Sequence, residues 1–88
     1  MSQDYVAAVS WYRKAADQGA ADAQSSLGFR YSLGEGVPQD YVLAHMWLNL
    51  SAAKGDEYAA KARDMVAAKM TPSQILKALS LASSWRPK

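Results

Sequence analysis

The chain contains no cysteine and only one histidine. Without cysteine there is no disulfide framework, no thiolate zinc site and no cysteine nucleophile. The single histidine, His45, has no second imidazole with which to form a histidine-based metal site, and it lacks the partners of a catalytic triad. We therefore expect no metal and no other cofactor. The absence of cysteine fits any compartment, so it leaves the localisation open.

Long apolar runs and runs of like charge are also absent. No apolar stretch approaches the roughly 18 residues that indicate a transmembrane helix. The first five residues, Met-Ser-Gln-Asp-Tyr, show neither the basic nor the apolar part of a signal peptide. Acids and bases are interspersed, and the net charge is only +2. We therefore expect neither a membrane nor a nucleic acid as partner.

The chain does have enough apolar residues for a core. Half of its 88 residues are hydrophobic, which fits one folded domain and argues against disorder. Many of these residues are alanine, which favours closely packed helices. Three Trp and five Tyr residues supply the bulk that alanine lacks.

An internal repeat with a period of 36 residues organises the sequence. Its two copies share nine identities: Gln3 with Gln39, Asp4 with Asp40, Tyr5 with Tyr41, Val6 with Val42, Ala8 with Ala44, Trp11 with Trp47, Ala16 with Ala52, Gly19 with Gly55, and Ala23 with Ala59. Apolar residues recur at three- and four-residue steps within each copy, which predicts one pair of helices per repeat.

Start and stop signals divide the chain into five predicted helices. Asp4 and Asp40 are expected N-caps, Gly19 is an expected helix end, and Thr71-Pro72-Ser73-Gln74 is a capping box with proline at the first helical position. We predict a single domain over 1–88, with repeat one at about 4–39, repeat two at about 40–70 and a capping helix at about 71–86.

The spacing along each helix also predicts which large apolar residues lie in the core. The core is expected to contain Tyr5, Trp11, Tyr12, Tyr31, Tyr41, Trp47 and Met65, with Val37 filling a gap from the loop. Gly28 predicts the close approach of a neighbouring helix. Four apolar residues lie off the main face of their helices, where they either mark a contact surface or are partly buried by a neighbour: Phe29, Met46, Leu76 and Leu81.

The motif Leu27-Gly28-x-x-Tyr31-x-x-Gly34-x-Gly36-Val37-Pro38-x-Asp40, followed by Ala44, Trp47, Ala52-Ala53 and Gly55, resembles the Sel1-like repeat. The resemblance covers about residues 3–69. It implies an all-α, right-handed α-α superhelix of tetratricopeptide-like helix pairs, here two pairs plus the capping helix, and a role as adaptor or scaffold. The second copy loses the motif after Ala59, so two interpretations stay open: the last helix replaces a third repeat, or the chain ends a longer array.

The leading functional hypothesis is a non-catalytic scaffold that binds a protein or peptide on a concave surface lined by the first helix of each pair. The candidate lining residues follow the 36-residue period: Ser10 with Met46, Arg13 with Asn49, and His45 beside them. A self-associating module or cap is the second hypothesis, and it allows a homo-oligomer.

An enzyme is the third hypothesis. Ser51-Ala-Ala-Lys54 matches the Ser-x-x-Lys motif of penicillin-recognising enzymes, and cysteine-rich proteins of the resembled family are linked to β-lactams. In those enzymes the serine opens a helix and two further motifs complete the site, whereas Ser51 is predicted in the last turns of a helix and neither companion motif is present. We therefore expect Ser51 to be a small packing residue and the protein not to be an enzyme.

Overall fold

The computed structural model describes residues 4–88, and helices are its only regular secondary structure over that range. Gln3, one of the nine repeat identities, lies outside the described residues. The helices are α1 (Tyr5–Asp17), α2 (Ala21–Leu33), α3 (Tyr41–Ala52), α4 (Glu57–Ala67) and α5 (Pro72–Ser84). The chain is thus an all-α helical-repeat superhelix of two helix pairs followed by a fifth helix, as predicted.

Side-chain caps fix where four of the five helices begin. Asp4, Asp40 and Asp56 each accept a hydrogen bond from the backbone N–H three residues later, at 3.0, 3.0 and 3.1 Å. Thr71 accepts from the N–H of Gln74 at 3.1 Å, while the Gln74 side chain accepts from the N–H of Thr71 at 2.9 Å. These bonds satisfy N–H groups that the first turn of a helix leaves free, and they confirm the predicted caps at Asp4, Asp40 and Thr71.

Helix α3 lies at the centre of the molecule. It packs against α2, α4 and α5, and residues 44–48 are all buried. A helix with one neighbour buries only a stripe, so five consecutive buried residues require neighbours on several sides. Met46, expected outside the main apolar face, is 7% exposed for this reason.

Two glycines permit close approaches within this packing. A Cβ on Gly28 would lie 2.8 Å from Cγ of Leu48 and 3.0 Å from the carbonyl oxygen of Ala44, so only glycine lets α2 come this close to α3. Gly36 has a positive φ of 80°, and a Cβ there would collide with the backbone of Tyr5. The close approach predicted at Gly28 is therefore confirmed. Val37 packs partly buried against the core, as expected.

Helix α5 packs along α3, burying its Ala78 and Ala82. Beyond its end, the Trp85 ring meets the edge of Trp47, with centroids 6.1 Å apart and planes at 72°. The backbone N–H of Lys88 donates to the carbonyl oxygen of Asp17 at 2.7 Å, which fastens the last residue to the end of α1. Helix α5 and the residues after it therefore cover one side of α3.

Two of the apolar assignments were wrong. Trp11 and Met65, both expected in the core, are each 72% exposed. Trp11 lies on a face of α1 that no helix of the described residues covers, whereas its repeat equivalent Trp47 is only 5% exposed because α5 covers it. Met65 faces outward from α4, toward a groove described below.

Candidate protein-binding surfaces

The surface predicted from the repeat period is only partly open. Ser10 and Arg13 are exposed on α1, but His45 and Met46 are buried and Asn49 is half-buried on α3. The difference follows from position, because α1 packs mainly against α2 whereas α3 packs against three helices. Binding of a partner by the exposed pair, Ser10 and Arg13, stays a prediction.

Arg13 and Asn49, which occupy equivalent positions, both contact the second helix of their own pair. The Arg13 guanidinium donates to the Tyr31 hydroxyl on α2 and lies 5.9 Å from the centre of that ring. Asn49 Oδ1 accepts from Arg63 Nη1 on α4 at 2.9 Å. These positions therefore hold each helix pair together, whatever else they contact.

The outer faces of α1 and α3 correspond residue by residue but differ in their cover. On α3 this face consists of Leu43, Met46, Trp47 and Leu50, all buried or half-buried with α5 packed along the helix. The equivalent residues of α1 are all exposed: Ala7, Ser10, Trp11 and Lys14. The Lys14 ammonium lies 5.5 Å from the centre of the Trp11 ring, so the open face of α1 combines an aromatic ring with a positive charge.

His45 is buried at the position that Val9 occupies in the first repeat, and its Nδ1 has no hydrogen-bond partner. Loss of hydration lowers the pKa of His45 from its ordinary value, and the positive charge of Arg63 lowers it further against the opposing effect of Asp64. No cluster of potential metal ligands surrounds it within residues 4–88. His45 is therefore a neutral core residue at neutral pH.

Ser51 and Lys54 are engaged in separate structural contacts. The Ser51 hydroxyl is fully buried and its single proton is shared between the Ala21 carbonyl oxygen, at 2.8 Å, and Asp56 Oδ2, at 3.0 Å. Lys54 Nζ donates to the Gly19 carbonyl and lies 5.7 Å from the centre of the Trp85 ring. A substrate cannot reach Ser51 in this arrangement, and Lys54 is placed to join α3 to the end of α1.

An open apolar groove runs between α2 and α4, the second helices of the two pairs. These helices barely touch, and the gap between them encloses about 570 Å³. Leu33, Tyr58 and Met65 are each at least half exposed along it, and Phe29 tilts against Tyr58 with ring centroids 6.5 Å apart. The full lining is Phe29, Ser32, Leu33, Tyr41, Tyr58, Lys61, Ala62, Met65, Val66 and Lys69. We call this surface the α2–α4 groove.

Charge in the α2–α4 groove is of one sign. Lys61 and Lys69 belong to its lining, both on the α4 side, and no acidic residue lines it. Asp64, on the same helix, is not part of the lining and accepts instead from Arg63 Nε at 3.2 Å. The groove therefore presents an apolar floor beside two ammonium groups.

Sequence reasoning found this groove only in part. Phe29 was recognised as lying off its helix's main face, whereas Met65 was assigned to the core and Leu33 was not singled out. One signal was available: Tyr58, Lys61 and Met65 follow three- and four-residue steps on one face of α4, and Lys69 continues the spacing just beyond the end of that helix. This sequence pattern does not show that α2 diverges from α4. That divergence leaves this face of α4 uncovered.

These features define a class of protein: a tetratricopeptide-like helical-repeat module with an open apolar groove on its second helices. The model of the Sel1 repeat matches residues 1–19 and 21–56, which is more than half of the chain. The chain therefore belongs to the Sel1 repeat family. Proteins of this family are generally protein-interaction scaffolds.

Three chains of solved structures match the fold. One is the crystal structure of a protective antigen present in uropathogenic Escherichia coli strains, described as displaying an SLR fold. It superimposes with a TM-score of 0.91 at 32% sequence identity, over 97% of this chain but 18% of that one. The chain thus spans less than a fifth of that protein's length. A comparison with the curated proteins finds no match.

Among the described residues, none of the helices combines the length and the apolar character that crossing a membrane requires.

Proposed function

We propose that the chain is a non-catalytic scaffold module that binds a segment of another protein in the α2–α4 groove. The observation that carries the proposal is the exposure of Leu33, Tyr58 and Met65 in the lining of one open cleft. Single exposed apolar side chains are ordinary on protein surfaces, but a contiguous set rimmed by polar groups is typical of a contact site.

The size and lining of the groove support a protein ligand. At about 570 Å³ the groove is large enough for several side chains of a partner. Its lining contains three aromatic residues, Phe29, Tyr41 and Tyr58, together with Met65. Aromatic residues and methionine are enriched in the cores of protein interfaces. The general role of Sel1 repeats as interaction scaffolds agrees with this proposal.

A comparative capture experiment tests the proposal. The wild-type chain and the double variant Leu33→Glu/Met65→Glu are used as baits, because a partner would lose two apolar contacts and two carboxylates would lose hydration when it binds. We expect a set of proteins that the wild type captures to be lost from the double variant.

Leu76→Glu is the matched control. Leu76 is 68% exposed on α5, close to the 72% of Met65, but it does not line the groove. The control bait should keep the same set of captured proteins, and circular dichroism should show equal helix content in all three baits. Retention of that set by the double variant would contradict the proposal.

Self-association is the second candidate function, and the exposed face of α1 favours it. Trp11 lies open at the position where α5 covers Trp47, so a second copy could supply the missing cover. Light scattering at increasing concentration tests this candidate with the wild type and Trp11→Ser. A mass that rises toward the dimer only for the wild type would support self-association, and a wild-type monomer throughout would rule it out.

A further inference from the structure

We infer that the partner of the α2–α4 groove is an amphipathic α-helix whose apolar stripe is bordered by acidic residues. This inference rests on the proposed function and deepens it, since it assigns the chemistry of the segment that the groove accepts.

The shape of the groove favours a helix. Its walls are two helices that present side chains at three- and four-residue steps: Phe29 and Leu33 on one side, and Tyr58, Lys61 and Met65 on the other. The side chains of a third helix can enter the spaces between such rows. No strand edge exists within residues 4–88 to which an extended peptide could add by backbone pairing.

The lysines determine the charge of the partner. Lys61 lies within α4 and Lys69 lies two residues beyond its end, so both ammonium groups stand along one wall. Carboxylates placed along one flank of a partner helix would face these two ammonium groups. The opposite wall, on α2, has Ser32 as its only polar side chain and carries no charge. The partner helix therefore needs acidic residues on only one side of its apolar stripe.

Charge disfavours a second copy of this chain as the occupant. The two most exposed apolar residues outside the groove, apart from Val6, have basic neighbours: Lys14 lies against Trp11 on α1, and Lys77 follows Leu76 on α5. Inserting either face would place ammonium groups near Lys61 and Lys69 with no carboxylate of the groove lining to compensate. Like charges brought together at an interface oppose association.

Fluorescence anisotropy with two synthetic peptides tests the inference. The acidic peptide is a helix of about four turns with leucines along one stripe and glutamates along one border of it. The basic peptide is identical except that lysine replaces each glutamate. We expect the wild-type chain to bind the acidic peptide at least about tenfold more tightly than the basic one, and this preference should shrink with added salt.

Charge reversal supplies the decisive variant. Lys61→Glu/Lys69→Glu should weaken binding of the acidic peptide by about tenfold or more and strengthen binding of the basic one. The matched control Lys14→Glu/Lys77→Glu changes the net charge equally but leaves the groove intact, so its preference should stay within about twofold of the wild type. Equal loss of the acidic peptide in both double variants would show a general charge effect and overturn the inference.

The outcomes separate this inference from the proposed function. If Met65→Glu abolishes binding of both peptides while the wild type binds them equally, the groove is a binding site and the acidic preference is wrong. If Met65→Glu leaves binding of the acidic peptide unchanged, the peptide lies elsewhere and the groove assignment is wrong. A wild-type chain that binds neither peptide while the capture experiment succeeds also overturns the acidic helix as partner.

Discussion

At the scale of single residues, the interior combines tight apolar packing with a buried imidazole, one nitrogen of which has no hydrogen-bond partner. His45 occupies the place of Val9 in the other repeat, yet its Nδ1 is buried without a hydrogen bond. A buried polar group without a partner costs about 1–3 kcal/mol, which is a large share of the stability of a small domain. The neutral form of the ring is the one that the fold accommodates.

Acidification should therefore destabilise the protein through His45. Burial and Arg63 lower the pKa of His45 in the folded state, so the unfolded chain takes up a proton at higher pH than the folded chain does. The melting temperature should fall as the pH is lowered through and below the ordinary histidine value of about 6.5, before most carboxylates titrate. In the variant His45→Leu, this part of the fall in melting temperature should be absent. Identical dependence of the melting temperature on pH in the two proteins would show that His45 is not the group responsible.

The close contact at Gly28 makes a second prediction at this scale. Alanine at this position would improve helix propensity by about 1 kcal/mol, but its Cβ would press on Leu48 and on the backbone of Ala44. Overpacking of this kind costs about 1–3 kcal/mol, so we expect a net loss of stability in urea denaturation. Ser26→Ala in the same helix is the control, and its free energy of unfolding should change little. A Gly28→Ala protein more stable than the wild type would contradict the prediction, because it would mean that α3 moves to make room for the added Cβ.

At the scale of helices, the two repeats have equivalent sequences in unequal surroundings. Trp11 and Trp47 are identical residues one period apart, and the identity alone suggests equal roles. The structure makes them unequal because α5 lies along α3 while α1 has no such cover among the described residues. The same contrast explains why Ser10 is open whereas Met46 is buried.

This inequality can be measured with a pair of truncations. Trp47→Ala should lower the free energy of unfolding by about 3–5 kcal/mol, because it removes a buried ring and the edge contact with Trp85. Trp11→Ala should change it by less than about 1 kcal/mol, as is usual for exposed positions. Similar losses for both variants in urea denaturation would mean that the face of α1 is covered in solution.

At the scale of the whole molecule, the sequence specified the elements better than the surfaces. Caps at Asp4, Asp40 and Thr71 are local, since each depends on residues within one turn, and they could be located without the fold. The exposure of Met65 depends on how far α2 diverges from α4, which is a property of packing between distant segments. The groove could therefore not be predicted from the period that revealed the repeat.

We propose that the partner segment lies in the α2–α4 groove and not on the first-helix face of the repeats. Chemical-shift mapping of the isotopically labelled chain during titration with the acidic helical peptide tests it most directly. We expect the largest backbone shifts at Phe29, Leu33, Lys61, Met65 and Lys69. Shifts centred instead on Ser10, Trp11 and Arg13 of α1 would contradict it.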